Sequence, residues 1–542
     1  MKTMAKTIIA LCLISTFMHC HLDAVAQAQI TKPYEPISLF DRRIRITGQW
    51  DHITKVRLHT PREDRWARES ALNTFRSNIS LEAEYFMVKQ PTWELNLIGH
   101  FYYSREFMDM IDDEYDKAMP TYTKHRFKHT RDEDVIRELF FQYLKGNWDL
   151  RIGKQQVVWG EQLGIRTLDV VCPLDIRTEV IGLTEWENVR IGVWMLRGIY
   201  DLSELLPGQL TLEGIFIPFD YQPAQMPREG SFFGPLFHPD GIPRNGYLDR
   251  LISYRYYKDA HSLHGLNNLE WGIRLRGYLS NYDLDWTIIF FHTIDDGGVW
   301  ADGGRGGYRS AEFFTAYNID RTTNEAPKER IFDFKPYNVF GFSLQRYFGG
   351  ILESVIRLEA VYESHKRYNK YDDDHLNMDG DPILDVVKKN SISYGLQISR
   401  KIAFPKWIPY FYDWSRGKYI DFDIALNQLY WFDYDTDFGD GDSMTTGYRV
   451  NGQPHGRGDN VVTSLSYMIM MNFLDARIVT VIRGTNYINS PSSQYGISIS
   501  YRPGEHWGYS IGMTITECKR RTDPYIGSET KDHVTFKIYY MF

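Results

Sequence analysis

The last eleven residues, Asp532–Phe542, constrain the fold more than any other stretch: Val534, Phe536, Ile538, Tyr540 and Phe542 alternate with Thr535, Lys537, Tyr539 and Met541. Strict period-two alternation marks a β-strand with one apolar face. A soluble strand rarely runs this long, ends on an aromatic carboxy-terminus and places three aromatics among five outward positions. A lipid-facing strand that closes a transmembrane barrel does all three, because a spanning strand takes about 9–11 tilted residues and closure leaves no unpaired edge. The competing reading is the edge strand of a soluble sandwich, since the barrel signal carried by one strand is weak.

The start of the chain predicts export. Lys2 and Lys6 precede an apolar run, Thr7–Met18, too short to span a bilayer, and Ala26-Gln27-Ala28 offers a cleavage site before Gln29. The expectation is a signal peptide over 1–28 and a barrel over 29–542. Cys20 is not read as a lipidated cysteine, because Phe17-Met18-His19 lacks the small residues such processing needs. Cleavage removes Cys12 and Cys20 and leaves Cys172 and Cys518, too few for a disulfide framework. No later stretch has the roughly 18 uninterrupted apolar residues of a membrane helix. The mean hydropathy of −0.41 fits a barrel, in which every second residue faces a polar lumen. No linker or composition shift divides the chain, and a net charge of −8 gives no basic excess for nucleic acid.

Alternation recurs in eighteen segments and predicts an all-β chain: a single antiparallel transmembrane β-barrel of about 16–18 strands. The first half supplies Arg43–Leu58, Phe75–Phe86, Trp93–Arg105, Ile136–Lys145, Trp148–Val158, Val189–Tyr200, Gln209–Phe219, Glu270–Leu279 and Tyr282–Thr293. The second supplies part of Arg330–Phe348, then Ile351–Glu363, Ser391–Arg400, Tyr419–Trp431, Asn460–Phe473, Asp475–Arg483, Gln494–Arg502, Trp507–Thr516 and the closing strand. The links sort by parity, as a barrel with both termini in the periplasm requires. Tight turns such as Gly146-Asn147, Ser280-Asn281 and Leu474-Asp475 alternate with long outer links such as Trp159–Asn188, Asp220–Leu269, Ser364–Asn390 and Phe432–Asp459. Lys401–Lys418 breaks the rule, being long and aromatic on the short side; it is read either as a segment at the membrane interface or as a miscount there.

Alternation also assigns the lumen. With Ile79, Leu81, Ala83 and Tyr85 outward, Arg76, Asn78, Glu82 and Glu84 turn inward. The same logic turns in Arg274, Arg276, Arg357, Glu359, Asp421 and Asp423. A lining of both signs suits a hydrated, weakly selective or closed passage better than a dedicated ion filter, and counts against an export porin for anionic polysaccharide. Solvated residues on one face of a soluble sheet would give the same alternation.

The block Leu150-Arg151-Ile152-Gly153-Lys154-Gln155, Val158-Trp159-Gly160-Glu161, then Asp169, Pro173 and Asp175, preceded by Arg137-Glu138-Leu139 and Tyr143, resembles a family of uncharacterised Gram-negative outer-membrane proteins whose domain has no assigned function. The resemblance implies a full-length barrel, often encoded beside an RND-type exporter and a periplasmic or lipid-anchored partner protein. This chain departs from the pattern at Cys172-Pro173, where Asn-Pro is expected.

Gly160 permits a sharp return of the chain and Pro173 stiffens it. By analogy with porins, whose third outer loop folds inward, Arg151, Gln155, Glu161, Asp169 and Asp175 are the candidate constriction residues, with the three acids as a ring of carboxylates. The alternative places Trp159 at the membrane interface and leaves the charges solvated.

Other chemistry is sparse. No HExxH, GxSxG, Walker, CxxC or CxxCH string occurs, so no catalytic residue, metal or cofactor is assigned. Asp433, Asp435 and Asp437 have the alternate spacing of a calcium loop, but Gly439 comes one residue late, and a solvated acidic loop is the plainer reading. Cys172 and Cys518 both fall on the outer side, where pairing depends on reach. The sequence thus predicts an outer-membrane barrel in contact with lipid, acting as a passive conduit for small solutes or for hydrophobic, lipid-like molecules, the latter with an exporter. A surface enzyme on a barrel scaffold is the alternative from another class.

Overall fold

A computed structural model of the chain describes residues 37–40, 43–58, 72–89, 96–109, 135–160, 162, 166–175, 189–204, 209–225, 268–300, 332–350, 352–376, 382–404, 406–407, 415–433, 448–450, 453–455, 461–488, 493–517 and 532–542. Residues 1–28, the expected signal peptide, lie outside them.

Among the described residues eighteen long strands form one antiparallel sheet that closes on itself, with a short strand, Ile37–Leu39, added along Ile44–Ile46. They are β1 (Ile44–Arg57), β2 (Leu72–Lys89), β3 (Asn96–Asp109), β4 (Ile136–Lys145), β5 (Trp148–Gln155), β6 (Val193–Asp201), β7 (Gln209–Ile217), β8 (Glu270–Leu279) and β9 (Leu284–Ile294). The circuit continues with β10 (Pro336–Phe348), β11 (Ser354–Leu376), β12 (Pro382–Ala403), β13 (Ser415–Trp431), β14 (Val461–Phe473), β15 (Ile478–Tyr487), β16 (Ser493–Tyr501), β17 (Trp507–Glu517) and β18 (His533–Met541). Each strand pairs with its sequence neighbours, and β1 pairs with both β2 and β18. The backbone is therefore satisfied without an edge, which is what a sheet in lipid requires.

Register decides which side faces out. On one row Trp286, Leu344, Leu358, Leu396, Leu426 and Leu465 stand side by side on β9 to β14. One residue along, the same strands present Thr287, Ser343, Glu359, Gly395, Asn427 and Ser464. Leu344, Leu396 and Leu426 are exposed, whereas Glu359, Asn427 and Ser464 are buried. The apolar row is the outer surface and the polar row the inner, and a one-residue slip would exchange them. Among the described residues no helix is long and apolar enough to cross a membrane.

Closure is completed by the predicted last strand. Phe536 and Ile538 are exposed on the outside, and Phe542 exchanges backbone hydrogen bonds with Gly48 of β1 at 2.8 and 2.9 Å. Its ring lies where a Cβ on Gly48 would stand, 2.5 Å from that position. Aromatic pairs gather at the same end of the barrel: Trp148 with Tyr200 at 4.5 Å, Trp507 with Tyr540 at 5.0 Å, and Trp50 with Trp507 at 6.4 Å. Amphipathic rings of this kind favour a boundary between hydrocarbon and water.

Two expectations change. The segment expected as the long link Ser364–Asn390 is largely strand: β11 and β12 stay paired past a register shift between Glu363 and Lys366, out to Asp372 opposite Ile383. The outer part carries Lys366, Arg367, Lys370 and Asp372, so it lacks the apolar face by which the strands were recognised. In the aromatic link after β12, Phe404 packs on Phe473 and Ile478 while Trp407 is exposed; the link joins β12 to its paired neighbour β13, so it is no miscount.

The strands expected at Trp148–Val158 and Val189–Tyr200 are shorter than predicted, because the chain leaves the wall after Gln155 and rejoins it at Val193. The described residues between them, 156–160, 162, 166–175 and 189–192, turn into the lumen.

Candidate functional site

Inside the barrel the segment after β5 meets inward apolar side chains that a water-filled wall would not need. Val157, Trp159, Leu168, Val171 and Cys172 pack with Val193 and Met195 of β6, Ile215 and Ile217 of β7, Ile289 and Phe291 of β9, Val339 of β10 and Val361 of β11. Burial of this core, at roughly 25 cal/mol per Å² of apolar surface, is what holds the segment against the wall. Gln156 starts the departure by donating its backbone N–H to Glu138 Oε1 at 2.8 Å.

Three wall glycines form seats for it. Trp159 lies over Gly272 of β8, with Cη2 2.8 Å from where a Cβ would stand, and meets Phe291 edge-on at 5.6 Å. Leu168 lies against Gly341 of β10 in the same way at 2.9 Å, and its N–H points to Glu359 Oε2 at 3.4 Å. The Gln162 amide occupies the space a side chain on Gly395 of β12 would take; its oxygen accepts the Thr167 hydroxyl at 2.7 Å. The segment returns past β4, where Gly192 runs so close to the Arg137 carbonyl that no Cβ fits.

Ion pairs lock this arrangement. Glu213 of β7 accepts the Trp159 indole N–H at 3.1 Å and is flanked by Arg197 Nε at 2.8 Å and Arg274 Nη2 at 2.5 Å. Arg274 also donates to the Val158 carbonyl at 3.2 Å. A carboxylate matched by two arginines is the arrangement in which a buried charge is tolerated. Within the segment, Asp169 accepts Arg190 Nη2 at 2.7 Å and Arg166 Nε at 3.2 Å. Cys172 is a free, fully buried thiol that accepts the Val157 N–H at 3.2 Å. Burial pushes its pKa up to about 12.

The chain following β7 braces the insert from the outer end. Gln225 N–H donates to the Leu174 carbonyl at 2.7 Å, Ala224 N–H to the Asp296 carbonyl at 3.1 Å and the Tyr221 hydroxyl to the Asp295 carbonyl at 2.8 Å. Desolvation raises the pKa of both acids just beyond β9: Asp295 is raised against the opposing pull of Lys366, and Asp296 well above the usual carboxylate range.

The predicted residues divide accordingly. Gln155 is buried at the point of departure, its amide 3.3 Å from the Met195 carbonyl. Arg151 lies lower on the wall, paired with Asp149 at 2.8 Å. Asp169 and Asp175 are buried inside the insert, so they do not stand as an open carboxylate ring; Asp169 is held by its two arginines, and Asp175 donates its backbone N–H to the Val189 carbonyl. Glu161 lies outside the described residues. Arg274 and Glu359 touch the insert directly, with Arg276 two residues along β8 on the same face. Arg357 donates to Gln345 at 2.8 Å, Asp423 accepts Gln397 at 3.3 Å, and Asp421 faces Lys401 at 3.8 Å, all on the wall away from the insert. Glu213 and the three glycines were not singled out from the sequence; an inward glutamate and glycines in strands are too common to signal a seat. Asp433 is exposed, while Asp435, Asp437 and Cys518 lie outside the described residues. Among the described residues no group of three His, Cys, Asp or Glu is placed to hold a metal ion.

A family model described as a protein of unknown function (DUF1302) matches residues 70–447, which include the whole block after Trp148. No curated protein matches the chain. Among solved structures it is similar to a BenF-like porin from Pseudomonas fluorescens Pf-5, at 8% identity over 92% of this chain and 97% of that one, with a TM-score of 0.45. It is similar also to OccAB3 of Acinetobacter baumannii, at 8% identity over 92% and 98% with a TM-score of 0.44, and to a Salmonella typhi OmpF complex with daunomycin, at 8% identity over 93% and 100% with a TM-score of 0.40.

Proposed function

Because the chain belongs to the DUF1302 family, which is described as of unknown function, we propose its role from the barrel itself: a passive conduit across the outer membrane, narrowed by the segment inserted after β5. The observation that carries this reading is the one-sided seating of the insert. Its described contacts fall on β4 to β12, whereas the inward row on β14 to β17 is Ser466, Thr485, Gln494 and Thr516. A narrowed lumen with such a row of small polar groups on one wall, beside Met468 and Arg483 on the same face, supports permeation of small polar solutes by weak, exchangeable hydrogen bonds. The apolar exterior and aromatic end support the membrane setting, and the short-turn end is the periplasmic one.

The finer reading, passage of hydrophobic molecules together with an inner-membrane exporter, rests on the family resemblance. Both are tested by reconstituting the full chain in liposomes. Swelling in sugars of increasing size reads polar flux, and uptake of a fatty acid reads apolar flux. Flux of small sugars with a sharp size limit is the expected result; no flux of either class would contradict the conduit.

A further inference from the structure

Beneath the insert, the charges of the wall do not balance. Glu213 accepts Arg197 Nε at 2.8 Å, Arg274 Nη2 at 2.5 Å and the Trp159 indole, so one carboxylate already answers three donors. Arg274 keeps a buried Nε with no acceptor among the described residues. Arg276 is the next inward residue of β8 toward its short turn; it is exposed and makes no hydrogen bond or ion pair with a described residue. Arg151, directly opposite Arg197, is neutralised by Asp149 at 2.8 Å and leaves the other three as they are. Three arginines therefore share one carboxylate, and Arg276 is the one left without it.

The register sets a hydroxyl on each side of that guanidinium. Arg276 is paired with Thr211 of β7 and Thr287 of β9. Side chains directly opposite in an antiparallel sheet share a face, with Cβ atoms about 4.5–5.5 Å apart. Neither threonine hydroxyl is hydrogen-bonded to a described residue. The acids around them are placed elsewhere: Asp285, one inward step along β9 and opposite Tyr278, forms no ion pair with Arg276, and Asp201, beyond Thr211 on β6, accepts the Ser203 N–H at 2.9 Å. A planar guanidinium takes two oxygens of one oxyanion side by side, and the two threonines can donate to it from the flanks. We propose that Arg276, Thr211 and Thr287 bind the carboxylate or phosphate group of a small anionic solute on the periplasmic side of the insert. A neutral or cationic solute would leave the excess positive charge unanswered. The inference deepens the conduit reading by naming the charge of its cargo, and it rests on that reading for the side of entry; the binding itself requires no flux.

Titration calorimetry of the full chain in detergent, with propionate, inorganic phosphate and propionamide, reads binding without flux. At least one of the two anions is expected to bind, the tighter of them identifying the group recognised, and propionamide, of the same shape without the charge, is not. Arg276→Gln is expected to weaken anion binding about tenfold, the worth of a hydrogen bond to a charged group. Thr287→Val should weaken it less, and Arg276→Lys should keep part of it. Heat-modifiable migration of each variant on gels confirms that the barrel has formed. In planar bilayers under a potassium chloride gradient near 0.1 M, where charges act over about 10 Å, wild type should prefer chloride, Arg276→Gln should lose the preference and Arg276→Glu should reverse it. The binding anion should reduce the current from one side of the membrane only. Anion binding by a barrel that does not conduct would uphold this site and overturn the conduit. Conductance without anion binding, equal binding of propionate and propionamide, or wild-type affinity in Arg276→Gln would each overturn the site and leave the conduit standing.

Discussion

Glu213 is the residue on which the insert turns, because it answers two arginines and an indole at once. Glu213→Gln keeps the shape but leaves Arg197 and Arg274 without their shared counter-charge, and breaking a buried pair costs about 3–5 kcal/mol. Hydrogen exchange at Val157–Gly160 should then accelerate while exchange in the strands stays slow; equal protection in both proteins would remove Glu213 from this role. Cys172 reports on the same seat. With a pKa near 12, only roughly one thiol in ten thousand is ionised at pH 8. In a Cys518→Ser background, alkylation of the folded protein should therefore be far slower than that of the denatured chain, and similar rates would show that the segment is not packed. A pH effect belongs to Asp295 and Asp296. Their folded pKa values are raised, so the stability they contribute is present below the unfolded carboxylate pKa of about 4 and is lost as pH rises through the folded values. Exchange at 221–225 should speed up over that rise, and Asp296→Asn should flatten the dependence.

At the scale of strands, alternation is legible because it is local: each spanning strand shows its two faces within its own residues. The outer extension of β11 and β12 is not legible in this way, because Ser364, His365, Lys366 and Arg367 beyond Glu363 do not alternate apolar with polar. The seats of the insert were not legible at all. Leu168 and Glu359 lie 191 residues apart, and nothing near Gly272, Gly341 or Gly395 distinguishes them from turn or spacer glycines. Glycine substitutions separate the two kinds. Gly395→Val should unseat Gln162, whereas Gly214→Val on β7, with nothing within 4 Å of its added Cβ, should be silent. Leu396→Lys, in the middle of the outward leucine row, should destabilise the barrel by about 2–4 kcal/mol in urea unfolding from lipid vesicles. An effect below about 0.5 kcal/mol would place that row outside the hydrocarbon.

As a whole, the molecule is a ring of paired strands whose outer surface is apolar and whose inner surface carries a packed obstruction on one side. The seam between β1 and β18 and the lock at Glu213 lie in different parts of this ring, so the wall should outlast release of the insert. Single-channel recording in planar bilayers, comparing wild type with Glu213→Gln and Gly395→Val, bears most directly on this arrangement. Small, discrete conductance steps in wild type and clearly larger steps in both variants are the predicted result; three proteins with the same conductance, or none that conducts, would contradict it.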